Sequence, residues 1–214
     1  TPLGDGVHQF TTTLTDAAGN ESPQSAALPL TVDTAAPAAP TGVTVTDDVA
    51  PVTGAIAANG ASNDNKPTFA GAAGSAEAGS TITVMDGATV LGTAVVAADG
   101  SWSVTPTTAL ADGAHSITTR ATDAAGNVSP VSPALALTVD TAAPAAPAAP
   151  TSTAPSTNDN TPGIHIGVGL TDTPSLYVDG VKVPATYDPV TGTLTPTTPL
   201  GDGVHQFTTT LTDA

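Results

Sequence analysis

Alternation of apolar and polar residues is the strongest pattern in the central part of the chain. Ile82 and Val84 alternate with Thr81 and Thr83, and a similar alternation follows Trp102. A period of two is typical of a strand with one buried and one exposed face, as in antiparallel sheets. The pattern predicts six strands, at residues 68–73, 80–85, 90–95, 101–105, 115–122 and 134–139.

Turn signals separate these strands and indicate the fold class. Asp-Gly pairs begin at Asp86, Asp99 and Asp112, and Gly126-Asn127 marks a further loop. Such pairs favour tight turns between strands. Six or seven short strands in about 100 residues are typical of an immunoglobulin-like β-sandwich. We therefore expect an all-β protein, since no segment shows the periodicity of a helix.

The few aromatic residues are interpreted as core or interface residues between sheets. Trp102 is predicted to anchor the core of the sandwich, because one isolated aromatic makes a poor platform for stacking carbohydrate. The same interpretation applies to the remaining aromatics, Phe10, Phe69, Phe207, Tyr177 and Tyr187.

Internal repeats predict the domain organisation. Residues 1–17 recur unchanged at 198–214, and TDAAGN at 15–20 returns at 122–127. Duplication of alternating modules explains both spacings, and tandem arrays are typical of stalks rather than enzymes. We predict a rod of tandem immunoglobulin-like modules in three pieces. Residues 1–33 are the C-terminal part of a short module. Residues 34–140 are a complete long module, with a junction at 34–62 and a body at 63–140. Residues 141–214 are a short module that lacks its last strand.

Composition excludes several classes of function. The 214 residues include 19 acidic and 3 basic side chains, a formal net charge of −16, which disfavours nucleic acid as a partner. The absence of cysteine excludes disulfides and thiolate chemistry. No apolar run is long enough to span a bilayer. The motifs G-x-S-x-G, H-E-x-x-H and the phosphate loop are also absent, so we expect no enzymatic activity.

Histidines and Asp-Gly pairs are interpreted as structural residues. His8, His115 and His205 occupy equivalent positions after an Asp-Gly turn, which suggests a role at the start of a strand. Aspartates that precede glycine are ordinary turn residues. This set comprises Asp5, Asp86, Asp99, Asp112, Asp179 and Asp202.

A family resemblance rests on the longer motifs. The strings VDTAAPAAP and NDNKPTFAG, followed by AEAGSTITVMDGATVLG and ATDAAGNVSP, resemble the bacterial immunoglobulin-like repeats of giant adhesins. These adhesins are the biofilm-associated and RTX-type surface proteins exported by type I secretion. The short module departs from the pattern after NDNTP, where GIHIGVGL lacks the AEAGST turn. The resemblance implies an extracellular location on the bacterial surface and calcium bound near module junctions.

The residues themselves also suggest calcium at the junctions. If the first strand and the last loop between strands meet at one end of the sandwich, then Asp33, the 63–65 triplet, Asp123 and Asn127 converge there. Carboxylate and amide oxygens without His or Cys favour Ca²⁺. A cation would also relieve the repulsion between the adjacent Asp47 and Asp48. The full predicted set is Asp16, Asn20, Asp33, Asp47, Asp48, Asn63, Asp64, Asn65, Asp123, Asn127, Asp140, Asn158, Asp159, Asn160 and Asp213. The alternative is that these residues only form turns and caps.

Three functions remain open from the sequence. The first is a structural stalk of a secreted adhesin, whose partners are neighbouring repeats of the same chain and, through other regions, a host or abiotic surface. The second is direct binding of a glycan, ice or a host protein, for which the Thr-rich strands would supply a hydroxyl face. The third is head-to-tail association, in which the tail of one chain completes the body of the next.

Overall fold

The structure is a computed structural model that describes residues 2–152 and 156–213. It divides into two compact units, Thr1–Thr141 and Ala142–Ala214. The described residues form strands and no helix, so the protein is all-β as expected. No helix in these two ranges is therefore long and apolar enough to cross a membrane.

The first unit contains eleven strands in chain order. They are β1 (Gly6–Phe10), β2 (Leu28–Val32), β3 (Thr44–Asp47), β4 (Gly54–Ile56), β5 (Ala61–Ser62), β6 (Thr68–Gly71), β7 (Thr81–Asp86), β8 (Thr89–Val95), β9 (Trp102–Val104), β10 (Gly113–Thr122) and β11 (Leu135–Val139). The first two form a separate antiparallel hairpin, and the other nine form the long module.

Two sheets of the long module pack face to face. One has the order β4-β3-β6-β9 and the other the order β5-β11-β10-β7-β8. All pairs are antiparallel except β5 with β11, which run parallel. The inward positions of each strand fill one core, which includes Val45, Phe69, Ile82, Trp102 and Leu137. The arrangement is an immunoglobulin-like β-sandwich.

The alternation in the sequence corresponds to burial in the structure. Ile82 and Val84 are fully buried between the half-exposed Thr81 and Thr83. Trp102 is only 5 % exposed, which confirms its predicted place in the core. All six predicted strands are present, with ends that differ by one to two residues. The period of two in the sequence therefore reflects the burial of one apolar face of each strand.

Within the long module, three strands were not predicted, and all lie in the segment 34–62 interpreted as a junction. They are β3, β4 and β5, each of four residues or fewer. Val45 in β3 is 2 % exposed and belongs to the core. This segment therefore supplies part of the sandwich, so the strands of the module begin before the predicted body at residues 63–140. Strands this short carry too few alternating positions to be recognised from their sequence.

The chain enters the long module at one end and leaves it at the other. On the entry side, the carbonyl of Asp33 accepts a hydrogen bond from Asn127 Nδ2 at 3.0 Å, and Asn127 lies in the loop after β10. On the exit side, Asp140 N donates to Ser62 O at 2.9 Å. Ser62 is level with Gly113 at the start of β10, because both pair with Val139 of β11. The ten residues of β10 separate the two ends by roughly 30 Å.

The second unit is a smaller version of the same plan. Its strands are β12 (Ile164–His165), β13 (Thr173–Val178), β14 (Val181–Val183), β15 (Ala185–Asp188), β16 (Thr193–Pro196) and β17 (Phe207–Thr212). They form two three-stranded sheets, β12-β16-β15 and β14-β13-β17. Its buried core consists of Ile164, Ile166, Leu176, Val178 and Leu194.

In both modules a large residue lies opposite a glycine of the neighbouring segment, but the two residues have exchanged positions. In the long module the large Trp102 on β9 lies opposite Gly71 on β6. A Cβ on Gly71 would collide with the indole Nε1 of Trp102 and with Ser75 Oγ. In the short module, Ile166 stands at the position of Gly71, and Gly192 stands at the position of Trp102. Ile166 donates its N–H to Gly192 O at 2.8 Å, so the large residue and the glycine again lie side by side, in exchanged places. Each core thus keeps one large and one minimal residue at this level, as close packing requires.

The repeated segment forms a different strand in each copy. In the first copy, β1 pairs with β2 from Gly6↔Val32 to Phe10↔Leu28. In the second copy, the strand is β17, which begins at the phenylalanine where β1 ends and pairs with β13. The complete β10 of the long module combines the two halves, since residues 113–117 pair with β11 and residues 117–122 pair with β7.

Candidate functional site

Acidic residues cluster at the exit end of the long module. Asp47 Oδ2 accepts a hydrogen bond from Ser62 Oγ at 2.6 Å, and Asp64 N donates to the same Ser62 Oγ at 3.1 Å. Asp48 N approaches Asp64 Oδ2 at 3.5 Å, a long contact. The end of β3 and the segment after β5 thus bring Asp47, Asp48 and Asp64 together. We call Asp47, Asp48, Asn63 and Asp64 the exit cluster.

Two carboxylates of the exit cluster are buried. Asp47 is 5 % exposed and Asp64 is 3 % exposed, and among the described residues neither forms an ion pair with Lys or Arg. Burial of an unpaired negative charge is costly unless a cation or several hydrogen bonds compensate it. Asp47 Oδ1 and Asp64 Oδ1 each accept one backbone N–H, from Val49 and Lys66 at 2.7 Å. Asp64 Oδ2 receives only the long contact from Asp48.

Asn63 adds an amide oxygen with unmet hydrogen-bonding capacity. Its Nδ2 donates to Ala50 O at 2.9 Å, whereas its Oδ1 is buried without a hydrogen-bond partner. A buried acceptor left unpaired costs about 1–3 kcal/mol. Two buried carboxylates and an orphan amide oxygen are hard oxygen donors of the kind that Ca²⁺ takes. Within residues 2–152 and 156–213, however, no group of three or more Asp, Glu or His is placed to hold a metal ion.

A second group of predicted residues lies at the entry end. Asp123 Oδ1 accepts the N–H groups of Ala125 and Asn127, and Asp123 Oδ2 accepts Asn127 Nδ2 at 2.9 Å. The hydrogen bond from the Asn127 side chain is the largest cause of the lowered pKa of Asp123. Asp33, which contacts Asn127 through its carbonyl, uses its own carboxylate to cap Ala35 N at 3.0 Å. These contacts are those of a capped turn, in which the carboxylate already has donors.

The same turn recurs in the tail of the preceding module. Asp16 Oδ1 accepts the N–H groups of Ala18 and Asn20, and Asp16 Oδ2 accepts Asn20 Nδ2, each at 2.9 Å. The Asn20 side chain is the largest cause of the lowered pKa of Asp16. The motif TDAAGN therefore specifies one loop geometry in both places.

The predicted convergence of all these residues in one cluster was wrong. The exit cluster and the Asp123 loop lie at opposite ends of β10, because β5 pairs parallel to β11 at the end where β10 begins. Asn65 stays on the exit side, where its carbonyl accepts Leu110 N at 2.8 Å. The sequence order of the segments does not reveal this parallel pairing, so the expectation placed residues 63–65 at the wrong end.

Within the second unit, the set predicted for the short module does not converge. Asp140 belongs to the first unit, whereas Asn158, Asp159, Asn160 and Asp213 belong to the second. Asp159 Oδ1 accepts the N–H and hydroxyl of Thr161, an ordinary turn. Asn160 O accepts Leu200 N, ahead of β17, while Asp213 follows the last residue of β17. Strand β17 therefore separates the two parts of this set.

Histidines predicted to be structural form specific links between strands. His115 Nδ1 lies 2.7 Å from Asp86 Oδ2, and His115 Nε2 lies 2.7 Å from Ala111 O. Burial would lower the pKa of His115, but the hydrogen bonds to Asp86 and Ala111 raise it above its ordinary value. Both neighbours accept hydrogen bonds, so the ring satisfies both only when it carries two N–H groups.

The same link is present in the second unit. His205 bonds Asp179 Oδ2 at 2.8 Å and Gly201 O at 2.9 Å, and the hydrogen bond to Asp179 is the main cause of its raised pKa. From their Asp-Gly sequence, Asp86 and Asp179 were predicted to be turn residues only. The recurrence of His after an Asp-Gly turn was the signal that a partner carboxylate existed.

Two further turn aspartates fasten the ends of modules. Asp112 Oδ1 accepts both the N–H and the hydroxyl of Thr141, at 3.1 and 2.8 Å. Asp5 Oδ1 does the same for Thr34, at 3.1 and 2.9 Å. The threonine is the first residue after the VD pair in each VDTAAPAAP string. In both copies the string therefore ties its threonine to the aspartate of a preceding Asp-Gly turn, a contact that was not predicted from the sequence.

Sheet order and a single buried core define the long module as an immunoglobulin-like domain. In comparisons with known proteins, the family described as the bacterial Ig-like domain matches residues 39–141. The match covers all nine strands of the long module and supports a bacterial Ig-like domain in this part of the chain. Domains of this family typically occur in surface or extracellular proteins. A comparison with curated proteins gives no match.

Proposed function

We propose that this chain is part of the stalk of a secreted bacterial surface adhesin, in which its modules supply length and spacing. The observation that carries the proposal is the entry and exit of the chain at opposite ends of the long module. A module of this form extends an array when it is repeated, and the duplicated residues 1–17 and 198–214 are a trace of such repetition. The receptor or surface is then bound by other regions of the protein.

The surface chemistry supports a spacer. With 19 acidic and 3 basic side chains, neighbouring repeats repel one another and resist association through their faces. Trp102, the aromatic best suited to stacking on a sugar, is 5 % exposed and packs in the core. These features favour the stalk over direct recognition of a glycan.

We further propose that calcium stabilises the exit end of the long module. Asp47, Asp64 and the amide oxygen of Asn63 would hold the ion, with Asp48 adding charge at the surface. When bound, Ca²⁺ neutralises the buried carboxylates. The protein contributes the cradle: Ser62 Oγ bridges the two aspartates, and the backbone N–H groups of Val49 and Lys66 orient their other oxygens.

Thermal unfolding followed by Trp102 fluorescence tests the calcium site, because this tryptophan reports only the long module. At a calcium concentration about 100 times the dissociation constant, the expected stabilisation is about 2.7 kcal/mol over chelator. Asp64→Asn should abolish this response and should also raise stability in chelator, because it removes a buried charge. Asp99→Asn is the matched control, since Asp99 is an exposed turn aspartate capping Ser101. An unchanged melting temperature in calcium would refute the site.

The stalk itself is tested by its length and its lack of ligands. Small-angle scattering of the chain in solution should give the maximum dimension of an extended particle. Addition of candidate ligands should leave that dimension unchanged. A glycan array and an ice-recrystallisation assay should both be negative. Saturable binding to one glycan class, lost on substitution of exposed strand threonines such as Thr208 and Thr210, would replace the stalk with the alternative of a ligand-binding module.

A further inference from the structure

The long module exposes one long edge strand. Strand β8 lies at the end of its sheet, with β7 on one side and, among the described residues, no strand on the other. It has seven residues, whereas the other edge strands of this module, β4, β5 and β9, have two or three. Its segment 89–96 contains no charged residue and no proline, and Val90 and Val95 are 54 % and 70 % exposed. Proteins usually protect an edge strand by shortness, charge or proline, and β8 has none of these.

The short module protects the equivalent edge. Strand β14 pairs with β13 as β8 pairs with β7, in each case after an Asp-Gly turn. Strand β14 has only three residues, carries Lys182 and is followed by Pro184. Lysine and proline on an edge discourage another strand from pairing there. The unprotected edge is therefore a feature of the long module and not of both.

Two residues of β8 direct their backbone groups at the open side of the sheet. Val96 N donates to Ser80 O at 2.8 Å, towards β7. Because backbone groups alternate in direction along a strand, Val95 and Thr93 present their N–H and C=O groups to the open edge. The side chains of both residues are exposed. The pairing with β7 shifts register beyond Gly92, so the regular part of this edge is short.

We propose that β8 of the long module pairs antiparallel with β8 of a second copy of this chain, about a two-fold axis at Ala94. Thr93 of each copy then lies opposite Val95 of the other, and each such pair exchanges both of its backbone hydrogen bonds. Both residues are β-branched, which favours their contact across the two strands. Each copy uses the same edge, so the contact is isologous and closes at two chains.

The distribution of charge favours a second copy at this edge. The chain has 19 acidic and 3 basic side chains, so contacts between most surfaces of two copies bring carboxylates together. Across the paired part of β7 and β10, the outward side chains are Thr81, Thr83, Met85, Thr118, Arg120 and Thr122. None of these is acidic. Pairing at β8 therefore joins two faces that lack carboxylates, and no like charges lie opposite one another across the new strand pair.

A two-fold contact at β8 makes the two long modules run in opposite directions. Strand β8 is antiparallel to β7, as is β10, which joins the entry and exit ends of the module. Stalks that extend towards one another from facing surfaces have this arrangement, whereas neighbours on one surface run the same way. The pairing thus joins facing surfaces, a role that rests on the proposed stalk, although the pairing itself does not. Each contact is small, and simultaneous contacts along two arrays strengthen one another.

Concentration-dependent mass is the first test. In sedimentation equilibrium, the weight-average mass of the full chain should rise with concentration from 20.6 kDa, that of one chain, to twice this value and no further. The double variant T93K/V95K should hold the mass at one chain, because it places lysines opposite one another across the contact. T44K/T46K is the matched control, since these exposed threonines have the same spacing on the inner strand β3. A single-chain mass at all concentrations, or equal association of both variants, would overturn the proposal.

Cysteine cross-linking tests the register, because the chain has no cysteine of its own. Residues opposite one another in a hydrogen-bonded antiparallel pair have Cα atoms about 5.5 Å apart, a distance that a disulfide spans. When isotope-labelled T93C is mixed with unlabelled V95C and oxidised, the cross-linked dimers should consist chiefly of one labelled and one unlabelled chain. A random distribution of labelled and unlabelled chains among the dimers would contradict the pairing of Thr93 with Val95.

Beads that carry the chain test the role at facing surfaces. Beads coated with the full chain, attached through its C-terminus, should aggregate, because chains on different beads meet in opposite directions. Beads coated with T93K/V95K should stay dispersed, and beads coated with T44K/T46K should aggregate. Dispersed wild-type beads, under conditions in which the free chain forms dimers, would refute this role. That result would leave the stalk untouched, since the stalk is tested by its dimensions in solution.

Discussion

The two copies of the repeated segment have one sequence and two structures. In the first copy the strand is Gly6–Phe10, paired with β2, and in the second it is Phe207–Thr212, paired with β13. The long module, which has both neighbours, forms the complete strand Gly113–Thr122. Each copy thus forms only the half of the strand whose neighbour is present. The comparison shows that the sequence of this repeat is compatible with a strand along its whole length. The presence of a paired neighbour determines which of its residues form that strand.

Burial follows the same rule. Leu30 of the hairpin and Leu137 of the long module occupy equivalent positions, yet they are 53 % and 2 % exposed. The histidines differ in the same way: His205 reaches both Asp179 and Gly201, whereas His8 bonds Gly4 O at 2.7 Å and has no carboxylate partner among the described residues. The stability of a segment therefore comes from the module that surrounds it.

The largest expected effect comes from truncating the equivalent leucines. Leu137→Ala should destabilise the long module by about 2–5 kcal/mol, because it leaves a cavity in a packed core. Leu30→Ala should change the same transition by less than about 0.5 kcal/mol, because Leu30 is exposed and outside that core. Denaturant unfolding followed by Trp102 fluorescence measures both. Equal losses would show that the hairpin shares the core of the long module, contrary to the comparison.

A smaller loss is expected at the glycine beneath the tryptophan. Gly71→Ala should cost about 1–3 kcal/mol, because the added methyl group displaces the Trp102 indole and Ser75 from close packing. Val95→Ala is the control within the same module, since Val95 is 70 % exposed and its truncation should change the transition by less than about 0.5 kcal/mol. The same fluorescence-detected unfolding applies. A neutral Gly71→Ala would mean that the core of the long module is loosely packed and adapts freely.

The smallest effect concerns pH and the histidine links. The pKa of His115 is raised in the folded state, so its contribution to stability is full below the ordinary pKa of about 6.5 and is lost as pH rises through the raised value. The long module should therefore be slightly more stable at pH 6 than at pH 8. His115→Gln should remove this difference, worth ~0.2–1 kcal/mol for an ion pair near the surface. His8→Gln, in the hairpin, should retain it. A pH dependence that survives His115→Gln would point to another group.

Much of the fold could be predicted because short stretches of the sequence are enough to indicate the strands and turns. Alternation around Ile82 and Trp102, together with Asp-Gly turns, specified six strands and the sandwich. Strands β3 to β5 were missed because each has four residues or fewer and gains its burial only from neighbours distant in sequence. The identical copies show the same limit, since no reading of GVHQF alone distinguishes β1 from residues 203–207.

The candidate site was predictable in part for the same reason. The sequence analysis placed Asp33 beside Asn127 as a calcium ligand, whereas in the structure Asn127 Nδ2 donates to the backbone carbonyl of Asp33. The burial of Asp47 beside Asp64 depends on the parallel pairing of β5 with β11, which only the assembled sheet specifies. The links from Asp86 to His115 and from Asp112 to Thr141 were hidden because an Asp-Gly pair is explained by a turn alone.

Amide hydrogen exchange by NMR tests the central claim, that a paired neighbour decides which half of the repeat forms strand. NMR is required because peptides from the identical copies have the same mass. At low concentration, we predict slow exchange at alternate amides of residues 6–10 in the first copy and of residues 207–212 in the second. Residues 203–205 should exchange rapidly, up to Gln206, whose N–H donates to Asp179 Oδ1 at 2.8 Å. Residues 113–122 should be protected along their whole length. The same pattern of protection in both copies would contradict the account, because the sequence alone would then determine the strand.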